Sequence, residues 1–141
     1  MPELKIIICI LISLLLAGCG RISDAPDRRV VTGNVTLNGT PLEGGVIRFL
    51  PQPTGPIAAG KIRDGKYEVT NKGGVPLGKH KVEIKGTPIL PEDTTGMSLG
   101  EIDAATKPAI DVPEKYYKDS QLEATVEAGH DPFNVDFELK D

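Results

Sequence analysis

The chain has no tryptophan, three tyrosines and three phenylalanines in 141 residues. Surfaces that stack sugar rings or nucleobases commonly use exposed aromatic side chains, so this scarcity argues against them. Only two cysteines occur, Cys9 and Cys19, and the only histidines are His80 and His130. Neither pair has the spacing of a zinc site, so a thiolate or imidazole metal centre is excluded as a motif. The acidic residues Glu92, Asp93, Glu101 and Asp103 lack the alternating oxygen-ligand spacing of a calcium loop and read as a solvated acidic stretch. The net charge of −4 carries no strongly basic run. Nucleic acid, which calls for a clustered basic face, is therefore not an expected partner. Apolar runs are short apart from one, Ile6 to Leu16, about half of the ~20 residues a helix needs to span a bilayer.

That run sits behind Lys5 and ahead of small residues, the pattern of a secretory signal. Its ending, Leu16-Ala17-Gly18-Cys19, resembles the bacterial lipobox. The resemblance implies cleavage between Gly18 and Cys19, and attachment of diacylglycerol and palmitate-type acyl chains to the Cys19 thiol. Two or three chains make a stable anchor, since each buried methylene contributes ~0.8 kcal/mol. Gly20, not Asp, follows the cysteine, which implies export to the outer membrane in a diderm cell. The expected organisation is a signal peptide over 1–18, a flexible tether over 19–29, and one domain over 30–141. Removing the first 18 of 141 residues leaves 123, enough for a single core. Because Cys9 leaves with the signal, that body has no disulfide and depends on apolar packing.

From Val30 onward the period is two. Val31, Gly33, Val35 and Leu37 alternate with Thr32, Asn34 and Thr36, as in a half-buried strand. Asn38-Gly39 and Asp64-Gly65 are type I′ hairpin signals, because these residues tolerate positive φ. Return strands are expected over Gly45–Leu50 and Lys66–Thr70. Further strands are expected over Ala58–Arg63, Lys79–Lys85, Leu122–Val126 and Phe133–Leu139. Residues 86–120 break the rhythm with four prolines, Pro88, Pro91, Pro108 and Pro113. They read as a long loop with a short helical turn near Gly100–Thr106. Seven short strands, tight turns and no long helix predict an all-β, seven-stranded antiparallel β-sandwich.

The segments Val31-x-Gly33-x-Val35-x-Leu37-Asn38-Gly39-x-Pro41-Leu42-x-Gly44-Gly45-x-Ile47-x-Phe49-x-Pro51, Asp64-Gly65-Lys66-Tyr67-Glu68-Val69, and Pro76-x-Gly78-x-His80-x-Val82-x-Ile84 together resemble carboxypeptidase regulatory-like (transthyretin-like) domains. The tail from Pro113-Glu114-Lys115-Tyr116 to Phe137-x-Leu139 resembles small bacterial lipoproteins with this domain. His80 stands where a tyrosine is common. The resemblance implies a sandwich that supports, links or binds, and it supplies no catalytic residues and no cofactor.

Gly96-Met97-Ser98-Leu99-Gly100 matches the nucleophile-elbow pattern, and Asp111 or Asp119 and then His130 follow in hydrolase order. An elbow needs a core strand before the serine and a helix after it on a large α/β sheet. The polar stretch Pro91–Thr95 is no such strand, which leaves a serine hydrolase using Ser98 as a remote alternative. The expected function is non-catalytic: a lipid-anchored envelope module that binds a protein partner through loop 86–120. Tyr116 and Tyr117 are its only aromatics and its candidate anchors. A glycan- or peptide-binding module is the alternative. Excision of residues 88–112 is expected to leave the sandwich folded.

Overall fold

A computed structural model describes residues 26–141. The signal segment, the Gly18–Cys19 cleavage site and most of the tether lie outside the described residues.

The chain is built from short strands: β1 (Arg28–Arg29), β2 (Val31–Leu37), β3 (Thr40–Pro41), β4 (Gly44–Pro51), β5 (Ala58–Arg63), β6 (Lys66–Val69), β7 (Val75–Pro76), β8 (Gly78–Gly86), β9 (Leu122–Val126), β10 (Phe133–Asn134) and β11 (Phe137–Leu139). An α-helix, α1 (Leu99–Ala105), and a 3-10 turn over Glu114–Tyr116 interrupt the connection between β8 and β9. The main sheet runs β10-β2-β6-β5-β4-β8-β9, with β11 and β3 also on β2. It curls around an apolar core, as an all-β sandwich requires.

The period of two decides which residues enter that core. Val31, Val35, Ile47, Phe49, Ile62, Tyr67, Val69, Val82, Ile84, Val126 and Leu139 are buried, and their sequence neighbours within the strands face outward. Both anticipated turns form with positive φ at Asn38 (53°), Gly39 (81°), Asp64 (49°) and Gly65 (75°).

The structure corrects the sequence reading at four points. The Asn38-Gly39 hairpin is short, because β2 pairs only with Thr40–Pro41 before the chain crosses over. The strand expected to return along β2 instead pairs with β5 and β8. Second, β10 and β11 run parallel to β2. The connection 127–132 carries the chain from the β9 edge to the β2 edge, so β10 and β11 start at the same end as β2. Third, the strand count exceeds seven, since the final strand is split in two and short bridges add β1, β3 and β7. Fourth, the tether does not reach Arg29. Strand β1 pairs with β7, with Arg28 opposite Pro76 and Arg29 opposite Val75.

Arg29 is held firmly. It is 8 % exposed, pairs with Asp131 at 3.2 Å, donates to the Glu127 carbonyl at 2.7 Å, and lies 5.1 Å from the Phe133 ring centre. A buried guanidinium needs such partners to offset its lost hydration. It also ties the two ends of connection 127–132 to the start of β2.

Gly33 fixes the other close approach. A Cβ there would lie 1.8 Å from the Val135 carbonyl oxygen, so only glycine lets β2 receive the final strands. The Tyr67 hydroxyl donates to that same carbonyl at 2.6 Å. Burial, helped by the nearby Asp136 carboxylate, pushes the Tyr67 phenol far above its ordinary value.

Candidate functional site

Strand directions sort the molecule into two ends. One holds β1, the start of β2, the connection 71–78 and the connection 127–132. The other holds the Asn38-Gly39 and Asp64-Gly65 turns, the end of β8 and the chain through 86–120. Residues 86–120 contain seven acids and three bases, and so equal the −4 charge of the whole chain.

This long connection is tied down in two places. Ile89 and Lys107 exchange backbone hydrogen bonds, each 3.0 Å, as an isolated antiparallel bridge. Farther along, Gly86 lies under the Ile110 carbonyl, where a Cβ would come within 2.0 Å. Val112 is buried at 2 % exposure and Ser120 at 0 %. The segment 107–120 is thus part of the domain, whereas 90–106 projects beyond the bridge.

The projecting part carries α1. Ser98 begins the helix with a capping box: its Oγ accepts from the Glu101 N–H, and the Glu101 carboxylate accepts from the Ser98 N–H at 2.8 Å. These hydrogen bonds hold the Glu101 carboxyl below the usual carboxylate range. Asp93 is lowered likewise by its hydrogen bonds with Thr95. No residue of α1 is buried. Leu90 and Leu99, 60 % and 87 % exposed, are the most exposed large apolar side chains among the described residues.

Tyr116 and Tyr117 are placed differently from what their sequence context suggests. Both are half-buried and pack against the core. The Tyr116 hydroxyl donates to the Lys140 carbonyl and accepts from the Lys140 N–H, both at 2.9 Å. The Tyr117 ring lies under Lys85, 5.4 Å from its Nζ. The most exposed apolar residues of the segment are instead the two leucines, which sequence reasoning missed. Their neighbours gave a signal: a helix with no alternating or 3.6-residue apolar face has nothing to bury.

The components of a hydrolase triad are not brought together. The Ser98 hydroxyl hydrogen-bonds within its capping box at the loop end, while His130 is exposed in connection 127–132 at the opposite end. His80 is fully buried on β8. Its Nδ1 meets the Gly78 carbonyl at 2.9 Å, which places the proton on Nδ1, and Nε2 has no hydrogen-bond partner. Burial pushes its pKa below the ordinary histidine value despite that backbone contact. Among the described residues, no group of three or more His, Cys, Asp or Glu side chains is arranged to hold a metal ion. No helix among them is long and apolar enough to cross a membrane.

No protein-family model matches the chain, and no curated protein and no solved structure shows significant similarity to it.

Proposed function

We propose that this chain is a lipid-anchored envelope protein, held through Cys19, that acts without catalysis by binding a protein partner at its loop end. One observation carries the reading: β1, which leads back toward Cys19, lies at the opposite end from residues 90–106. A domain tethered through its amino terminus then presents Leu90, Leu99 and α1 away from the membrane. Rigid scaffolds characteristically display their binding residues this way, on loops. In a diderm cell the anchor would sit in the outer membrane.

The test is in-cell photocrosslinking from position 99, with a second probe at position 72 on the anchor-proximal end and Cys19→Ser as the mislocalised control. A single dominant envelope adduct, specific to position 99 and lost in Cys19→Ser, is the expected result. Equal adducts from positions 72 and 99 would refute the loop-end contact. Unchanged membrane fractionation of Cys19→Ser would refute the anchor.

A further inference from the structure

The mild acidity of the chain conceals a separation of charge. Residues 44–85 hold eight bases and three acids, a balance of +5. Residues 86–141 hold four bases and thirteen acids, a balance of −9. The basic stretch includes four adjacent strands, β6, β5, β4 and β8, and the period of two turns its charged side chains to the outer face of the sheet.

Register gathers them. Lys61 and Lys85 both stand opposite Val46, Lys81 stands opposite Leu50, and Arg63 stands opposite Lys66. Like charges directly opposite each other on a sheet cost stability. Three bases on this face are neutralised: Arg48 by Glu83 at 3.0 Å, Arg63 by Glu92 at 3.3 Å, and Lys79 by Glu123 at 3.0 Å. Lys61, Lys66, Lys81 and Lys85 have no carboxylate partner among the described residues. Shape adds to charge. Lys61 and Arg63 form a ridge between two shallow grooves of about 520 and 600 Å³. One groove follows β6 and contains Lys66; the other lies under residues 87–92.

The geometry points to a docking face for a linear acidic polysaccharide, a polyuronate whose repeating carboxylates meet Lys61, Lys66, Lys81 and Lys85. Charge complementarity is the first argument. The second is the type of cation. Arginine recognises phosphate and carboxylate through a fixed two-pronged fork, but both arginines here are already engaged. The free cations are lysines, point charges on flexible stems that accept carboxylates at irregular spacing. Lys61 and Lys85 are two strands apart, ~10 Å, about the Debye length at 0.1 M ionic strength. The third argument is the scarcity of rings. Phe49 and Tyr67 are buried in the core and Tyr117 lies half-buried under Lys85, so the face has no row of exposed rings on which bases or uncharged sugars could stack. The second groove reaches Leu90 and Glu92 at the base of the projection, but α1 itself does not line this face.

The purified chain is titrated into alginate, with uncharged dextran, single-stranded DNA and phosphatidylglycerol vesicles in parallel. Saturable binding to alginate is expected, weakening about fivefold or more from 50 to 200 mM NaCl. The double substitution Lys61→Gln with Lys85→Gln should weaken it about tenfold with an unchanged circular dichroism spectrum. The pair Lys72→Gln with Lys107→Gln, off this face, should change it less than about twofold. No alginate binding at 50 mM NaCl overturns the proposal. Equal loss from the two pairs, equal binding to dextran, or tighter binding to DNA or vesicles overturns it as well.

Discussion

At the scale of the residue, two buried positions are under the strongest constraint. Gly33 faces the Val135 carbonyl with no room for a methyl group. Gly33→Ala should therefore lower unfolding free energy by about 3 kcal/mol, the upper range for overpacking a buried site, measured by urea denaturation. His80 is neutral in the fold, with a proton on Nδ1 and an unpartnered Nε2 beside the edge-on Phe49 ring, 6.1 Å between centroids. Its folded pKa is depressed below the unfolded value of ~6.5. For a base this means stability that is fully present above the unfolded value and is lost as pH falls through the folded one. The thermal midpoint should drop between pH 7 and pH 5, and His80→Leu should flatten that slope. An equal slope in both proteins would assign the acid sensitivity to carboxylates instead.

At the scale of the element, α1 is a helix held by its cap and not by burial. The Ser98–Glu101 box satisfies its first amides, and none of its residues enters the core. Removing the cap with Ser98→Ala should destabilise the helix locally by about 1 kcal/mol. Hydrogen exchange should accelerate over Leu99–Ala105 while the global thermal midpoint stays unchanged, because local opening does not involve the core. The strands behave oppositely. Their alternation was plain in sequence because each has one face in the core; six of the seven expected strands form within a residue or two of their limits, and the last is split at Val135–Asp136. The hairpin turns were equally legible, since Asn38-Gly39 and Asp64-Gly65 are local chemistry. The parallel docking of β10 and β11 on β2 was not, because pairing across about one hundred residues leaves no local mark.

At the scale of the whole molecule, the bridge between Ile89 and Lys107 divides the long connection into a dispensable and an indispensable part. Excision of 88–112 would remove buried Val112 and the Ile110 contact over Gly86, so the expectation that the sandwich survives that cut is revised. Replacing 90–106 with Asn-Gly, which suits a two-residue hairpin between paired strands, should leave the thermal midpoint within about 4 °C, the shift of ~1 kcal/mol for a domain of this size. The same variant should lose the proposed partner contact. Loss of cooperative unfolding would show that the projection supports the core.

By itself the sequence determined the all-β class, the two I′ turns and which residues of the longer strands alternate inward and outward. These depend on a residue and its immediate neighbours, through the period of two and the tolerance of positive φ. Only the tertiary structure decided that Arg29 is a buried clamp, that Tyr116 binds the Lys140 backbone, and that four lysines from separate strands share one face. Those outcomes come from sheet order and register, in which residues tens of positions apart are placed about 5 Å from one another by hydrogen bonds between strands.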